Sequence, residues 1–275
     1  MVHKLNVQNV SYSYHTIEGE TAALSDISFT ADTGEFIAVV GPSGCGKSTL
    51  LSLLSGLARP ESGFVLIDGK PAELAKEAIG YMLQKDHLFE WRSILSNAAL
   101  GLEIQKRLDA DSRFRLVQML KTYGLDQFQD KHPSQLSGGM RQRAALIRTL
   151  ALNPDLLLLD EPFSALDYQT RLSVCDDISS IIRDTKKTAV LVTHDLSEAI
   201  SVADRVIILS SRPASVKKII TLSFPPASSQ SSGLEHSNVL SPMERRNAPE
   251  FSYYFNLIWK ELKSDASSSH YAEKS

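Results

Sequence analysis

The chain has 275 residues, 43% of them hydrophobic and 22% charged, with 29 Lys and Arg set against 32 Asp and Glu. That length supports a substantial core, in one large domain or a core plus a smaller one, and the balanced charge gives no general basic character for holding nucleic acid. Two cysteines, Cys45 and Cys175, in unrelated contexts supply neither a disulfide framework nor a metal cluster, so a reducing compartment is expected.

Residues 4–40 read as strands. Leu5, Val7 and Asn9 alternate, Ala23–Thr30 is a second candidate, and Phe36–Val40 is apolar throughout, with turn signals at His15–Glu20 and Asp32–Gly34 between them. The opening segment lacks the apolar stretch of a signal peptide, and no run approaches the roughly 20 apolar residues of a membrane span. Any membrane role is therefore expected to act through a partner. A helix should follow from Lys47 to about Leu57, then a strand Phe64–Ile67 stopped by the hairpin signal Asp68-Gly69, then a strand Ala78–Leu83.

From about Ser93 to Tyr123 the period turns helical, with Phe114, Val117 and Leu120 on one face and Gly124 as terminator. This stretch predicts a separate helical lobe, about 90–135. A helix beginning near Ser137 carries Met140, Ala144, Ile147 and Ala151 on its inner face. Leu156–Leu159 and Ala189–Val192 are apolar at every position, as strands covered on both faces of a parallel sheet are. Val206–Leu209 and Val216–Leu222 can close a hairpin around Ser211-Arg212-Pro213. Residues 225–249 read as a linker, 250–264 as an amphipathic helix built on Phe251, Tyr254, Phe255, Ile258 and Leu262, and 265–275 as a flexible tail. The prediction is an α/β fold with a parallel-sheet core, an N-terminal antiparallel β subdomain and an inserted α-helical lobe.

Three segments carry chemistry. Gly41, Pro42, Ser43, Gly44, Cys45, Gly46, Lys47, Ser48 and Thr49 fit G-x-x-x-x-G-K-[ST] between an apolar strand and a predicted helix. Glycine freedom lets backbone N–H groups converge on phosphate oxygens, the helix N-terminus adds positive potential, Lys47 reaches the terminal phosphates, and Ser48 offers a hydroxyl to Mg²⁺. Asp160 and Glu161 end the strand Leu156–Leu159. One carboxylate there can hold Mg²⁺ and the next can orient or deprotonate water, although alone the pair reads as a solvated acidic loop. In LSGGMRQR, residues 136–143, Ser137 is placed as an N-cap with Gly138 and Gly139 exposing their N–H groups. That is either a second anion site or simply a well-capped helix.

LSGGM, preceded by a phosphate loop and followed by LLLLDEP, resembles the ATP-binding cassette (ABC) family, and the likeness runs from about residue 5 to 222. The resemblance implies a P-loop NTPase (RecA-like) core over residues 1–224 and hydrolysis of ATP with Mg²⁺. It implies that Lys47, Glu161 and His194 act in catalysis, His194 by contacting the γ-phosphate, and that Ser48, Gln84 and Asp160 serve the metal. Ser164–Asp167 matches a loop that contacts a second cassette, with Asp167 reaching the nucleotide site. Tyr14 matches the aromatic that stacks on adenine, with Tyr12 an open alternative two residues away. In such proteins two copies pack head to tail, so that the Ser137 helix of one caps the phosphate held by Lys47 of the other.

Leu88-Phe89-Glu90-Trp91-Arg92 resembles the LLPWRTV segment of nitrate, sulfonate and taurine importer cassettes, departing from it at Phe89-Glu90, and Asn97–Glu103 is similar too. This resemblance implies a homodimer beneath transmembrane permease subunits, peripheral on the cytoplasmic face of a bacterial membrane. An outside solute-binding protein, periplasmic or lipid-anchored, would act through the permease, and no nucleic acid would be involved. Trp91 then reads as a docking residue, a core aromatic of the lobe, or both. The alternative function is a soluble cassette acting on DNA or ribosomes, which more often carries two cassettes or a coiled-coil insertion. A non-hydrolysing interaction module would need a broken site, and none of the matched positions is substituted.

Overall fold

The computed structural model describes residues 3–17, 19–225 and 240–272, with the backbone alone for 265–272. The chain begins with a long antiparallel hairpin, β1 (Leu5–Thr16) and β2 (Gly19–Ala31). The pairing reaches Thr16 opposite Gly19, so the expected turn at His15–Glu20 is narrower than its composition suggests. Leu5, Val7 and Val10 are buried, whereas Asn9 is exposed with φ 49° in an interruption of the ladder. That bulge moves the apolar phase by one residue and breaks the predicted Leu5–Val7–Asn9 alternation. A close approach shapes it as well. Gly63, at φ 75°, lies where a Cβ would come within 2.3 Å of the Asn9 carbonyl oxygen, space that only glycine leaves.

After β3 (Phe36–Val40) and the glycine loop comes α1 (Lys47–Leu54), which stops short of the expected Leu57 because Gly56 turns to φ 69°. The strands β4 (Ser62–Ile67) and β5 (Lys70–Pro71) form the hairpin signalled by Asp68-Gly69 and give a four-stranded antiparallel sheet ordered β2-β1-β4-β5.

The second sheet adds β6 (Ile79–Met82), β7 (Leu156–Asp160), β8 (Thr188–Val192), β9 (Arg205–Leu209) and β10 (Val216–Thr221), in the order β10-β9-β3-β8-β7-β6. Every pairing is parallel except β9 with β10. Its all-apolar strands feed two cores. Ala38, Leu157, Leu159, Leu191 and Ile208 face the helices, while Ile37, Val39, Leu158, Val190 and Ile207 face α1 and the antiparallel strands. A side chain at every position of these strands is thus withdrawn from water.

The helical lobe is two helices, α2 (Ile94–Ile104) and α3 (Ala110–Thr122), rather than one continuous helical run. Between them Lys106 takes φ 56°, and Asp109 starts α3 with a reciprocal cap, accepting from the Ser112 amide at 2.7 Å while donating to Ser112 Oγ at 2.8 Å. The new phase buries Ser112, Leu116 and Leu120 and leaves Phe114 65% exposed, correcting the predicted Phe114–Val117–Leu120 face. Next come α4 (Gly138–Leu150), α5 (Tyr168–Asp184) and α6 (Leu196–Val202).

Of the stretch read as linker, 226–239 lies outside the described residues, and Pro242–Asn247 forms a short helix, α7. Ser241 begins it with a capping box to Glu244, and Pro242 occupies its first turn, where no amide donor is needed. Finally α8 (Pro249–Ala272) docks through Ile258, which is fully buried. Its backbone stays helical as far as Ala272, past the expected tail boundary at 265; residues 273–275 lie outside those described. No helix among the described residues is long and apolar enough to cross a membrane.

Candidate functional site

The carboxyl ends of β3, β7 and β8 lie side by side, and each delivers a predicted site segment. From β3 the chain enters the phosphate loop. Gly44 and Gly46 hold φ 73° and 123°, and a Cβ on Gly46 would come within 2.9 Å of Leu24 and 3.1 Å of the Ala23 carbonyl. Lys47, 7% exposed, donates to the carbonyls of Gly41 and Pro42 at 2.9 and 3.0 Å. Two of its three ammonium protons therefore shape the loop and the third is left to reach outward. Ser43, Gly44, Gly46, Lys47, Ser48, Thr49 and Glu161 line one cleft of about 280 Å³. A larger hollow of about 690 Å³, bounded by Arg107, Arg115 and Met119, belongs to the helical lobe and contains none of these residues. Cys45 lies buried beneath the loop, and burial raises its thiol pKa, so it packs there as a small apolar group.

Asp160 ends β7. Its carboxyl is raised above the usual range, first by burial and then by the neighbouring Glu161 charge, while Ser48, Tyr81 and Lys47 pull the other way. Of these, the Tyr81 hydroxyl donates to it at 3.5 Å. Burial first, and then Asp160, push Tyr81 up to about 12, so it stays a donor. Glu161 takes φ 43°, uncommon for a residue with a Cβ, and its amide donates to the Val192 carbonyl at 2.8 Å. Its Oε2 lies 3.1 Å from Nδ1 of His194 and accepts from Nε2 of Gln84 at 3.3 Å. The same Gln84 nitrogen reaches Ser164 Oγ at 3.2 Å. Gln84, Asp160, Glu161 and His194, drawn from three separate strand ends, thus meet beside the phosphate loop.

Tyr14 joins them from the antiparallel sheet. Its hydroxyl lies 2.9 Å from Thr49 Oγ1, its ring is 43% exposed, and Tyr12 meets it edge-on at 5.2 Å. Tyr12 packs partly buried against the core, so Tyr14 is the more exposed of the two rings. Arg212 stands 5.9 Å from the Tyr14 centroid. In sequence it read only as a turn residue.

Ser137, Gly138 and Gly139 are not among the residues lining the phosphate cleft. Ser137 caps α4 by accepting from the Met140 amide at 3.4 Å, and Gly138 borders a separate hollow with Lys85, Gln142 and Leu166. A Cβ on Gly138 would come within 2.9 Å of Leu166, and one on Gly139 within 2.8 Å of Val174, so Gly138 lets α4 lie close to the loop before α5 and Gly139 lets it lie close to α5. Asp167 caps α5 by accepting from the Thr170 amide at 3.1 Å, and the Thr170 hydrogen bonds hold its carboxyl below the usual range.

Sequence reasoning named Asn97 only as the start of a similar segment and missed its role, a fully buried amide that locks the segment after Gln84. Its oxygen accepts from Phe89 N at 2.7 Å and its nitrogen donates to the carbonyls of Phe89, Arg92 and Ser93 at 3.0, 3.1 and 3.1 Å. Within that segment Trp91 is 75% exposed, its ring tilted by 34° against Phe89 at 4.8 Å, so it is not a core aromatic. On the other flank Arg148 donates to the carbonyls of Asp86 and His87, both at 2.7 Å, tying the segment to α4.

A sequence profile of the ABC transporter family matches residues 24–164. The uncharacterized ABC transporter ATP-binding protein YtlC of Bacillus subtilis (strain 168) is 46% identical over 260 residues, 94% of this chain and 96% of the relative. The taurine import ATP-binding protein TauB of Yersinia pestis bv. Antiqua is 39% identical over 216 residues, 78% of this chain and 84% of the relative. Among solved structures, a dimeric ATP-binding cassette in a post-hydrolysis state bound to ADP and Pi is 31% identical with a TM-score of 0.69, covering 80% of this chain and 99% of that one. A phosphate loop, a strand-end carboxylate pair and a strand-end histidine gathered at one sheet edge are the equipment such a likeness requires, and the chain belongs to the ABC transporter family as an ATP-hydrolysing, ATP-binding subunit.

Proposed function

We propose that this chain is the energy subunit of a bacterial importer for nitrate-, sulfonate- or taurine-type solutes. It works as a homodimer beneath two permease subunits, on the cytoplasmic face of the membrane, with a solute-binding protein feeding the permease from outside. The observation that carries the reading is the placement of Gln84. Its amide bonds both Glu161 and Ser164, and the segment that leaves it ends at the exposed Trp91. A permease pressing on Trp91 moves a segment whose first residue touches the acid beside the phosphate cleft. The relative named for taurine import supports the same assignment.

In this reading Tyr14 stacks on adenine, and the amides of Gly41–Thr49 with Lys47 hold the phosphates. Ser48, Asp160 and the amide oxygen of Gln84 form an all-oxygen donor set, which suits Mg²⁺; bound there, Mg²⁺ would neutralise charge on the β- and γ-phosphates. Glu161 accepts a proton from water as the water oxygen bonds the γ-phosphorus. The bond from that phosphorus to the bridging oxygen breaks, and ADP leaves. His194 steadies Glu161 and the γ-phosphate. Ser137–Gly139 of a second copy completes the site from above, which accounts for their absence from this chain's own cleft.

The test is a photocrosslinker at Trp91 in cells. Capture of a membrane permease supports the importer; capture of ribosomes or DNA overturns it.

A further inference from the structure

Arg171 lies on the first turn of α5, four residues past Asp167, with its side chain 23% exposed. Its guanidinium spans two functional segments. Nη2 donates to the carbonyl of Leu166 at 3.0 Å, inside the Ser164–Asp167 loop, and Nη1 donates to Asp195 Oδ2 at 3.3 Å, one residue after His194. On its other oxygen Asp195 accepts from the amides of Ser197 and Glu198, capping α6. Thr193, one residue before His194, accepts from the Asp195 amide at 3.0 Å and donates to Glu198 at 2.5 Å. Both flanks of His194 are thus fixed to α6, and Arg171 fixes that unit to the loop.

A guanidinium that only neutralised an acid would set its fork on both carboxylate oxygens. Here the fork is divided, one arm on a carboxylate and the other on a main-chain oxygen of the loop. A third arm is unused. Nε is buried with no hydrogen-bond partner, 4.0 Å from Glu198 Oε1. An unmade charged contact in a buried setting is costly, and an approach of α5 to α6 by about 1 Å would bring it within hydrogen-bond range.

We propose that Arg171 is a positioning residue for ATP hydrolysis, a clasp that makes the Ser164–Asp167 loop and His194 move as one body, so that a second cassette pressing on the loop is felt at the γ-phosphate. This rests on the two-cassette, Glu161-dependent reading above.

The experiment is a double-mutant cycle on the full chain, with Arg171→Lys, Asp195→Asn and the pair together. Lysine keeps the charge and loses the fork; asparagine keeps an N-cap acceptor and loses the charge. Each single change is expected to lower kcat by about ten- to a hundredfold, with KM for ATP held within about threefold. The double variant should fall no further than the worse single one, because both sever the same clasp. Multiplying effects, a rise in KM with kcat kept, or an unchanged kcat would each overturn the clasp. Arg171→Ala extends the series, and where its packing loss lowers folding, Asp195→Asn carries the decision. Glu161→Gln runs beside them. Turnover surviving Glu161→Gln removes the catalytic reading and the clasp with it. Loss of turnover there, with full kcat in Arg171→Lys and Asp195→Asn, removes the clasp alone.

Discussion

Glu198 illustrates how much a single buried side chain can weigh. It is 6% exposed, and burial raises its carboxyl from 4.5 to about 7, with Asp195 adding to the rise and Thr193, Arg171 and His194 opposing it. An acid whose pKa is higher in the folded chain binds its proton more tightly there than in the unfolded chain. Its stabilising contribution is complete below pH 4.5 and is lost as pH rises through about 7. The whole swing is about 3 kcal/mol. Glu198→Gln keeps an acceptor for Thr193 and does not ionise. Urea unfolding is expected to find it close to wild type at pH 4.5 and more stable by up to about 3 kcal/mol at pH 8. An equal difference at both pH values would mean that Glu198 does not titrate in this window. No sequence rule points to this residue, because Leu196-Ser197-Glu198 reads as an ordinary acidic first turn. Apolar strands whose carboxyl ends share one edge placed Gln84, Asp160, Glu161 and His194 together, but their roles were legible only through the family resemblance. Arg171 and Asn97 were not, since both act through backbone carbonyls that sequence does not reveal.

At the scale of elements, legibility followed covalent phase. The all-apolar strands Phe36–Val40, Leu156–Leu159 and Ala189–Val192 sit in the sheet where their composition places them, because burial on both faces leaves no phase to misread. The first strand and the helical lobe were less legible. A bulge at Asn9, the first of three register shifts in that strand, and a break at Lys106 reset which side chains face inward, and both depend on positive-φ residues that propensity does not specify. The segment from Phe89 to Arg92 is a third such case, irregular in backbone yet held by the four hydrogen bonds of Asn97. Asn97→Ala leaves the Phe89 amide and three carbonyls without that partner, at a cost of about 1–3 kcal/mol for a buried unsatisfied group. The loosening should be local. Hydrogen exchange at the amides of Phe89 and Arg92 is expected to quicken by at least about tenfold while the strand Leu156–Asp160 stays protected. Uniform loss of protection would instead mean that Asn97 supports the whole lobe.

The whole molecule raises the question of why one chain carries two helix starts that its sequence marks as candidate anion sites. Lys47 is the first residue of α1 and Ser137 the N-cap of α4, yet only Lys47 lines the phosphate cleft. Two copies packed head to tail, as proposed above, would account for both, and lesions placed on different chains test that arrangement. Take one chain with Lys47→Ala and another with Ser137→Ala, and purify the mixed dimer through two tags. If each site joins Lys47 of one copy to Ser137 of the other, both lesions fall in the same site and the second site is whole. If each chain completed its own site, both sites would be damaged. The shared arrangement therefore predicts about one occluded nucleotide per mixed dimer and none in either parent homodimer, with turnover at no more than about half of wild type. Occlusion in neither site would favour self-contained chains, and full turnover would show that Lys47 or Ser137 lacks its assigned part. Because both lesions are present in every mixed dimer, their difference from the parents isolates geometry from the chemistry of either side chain.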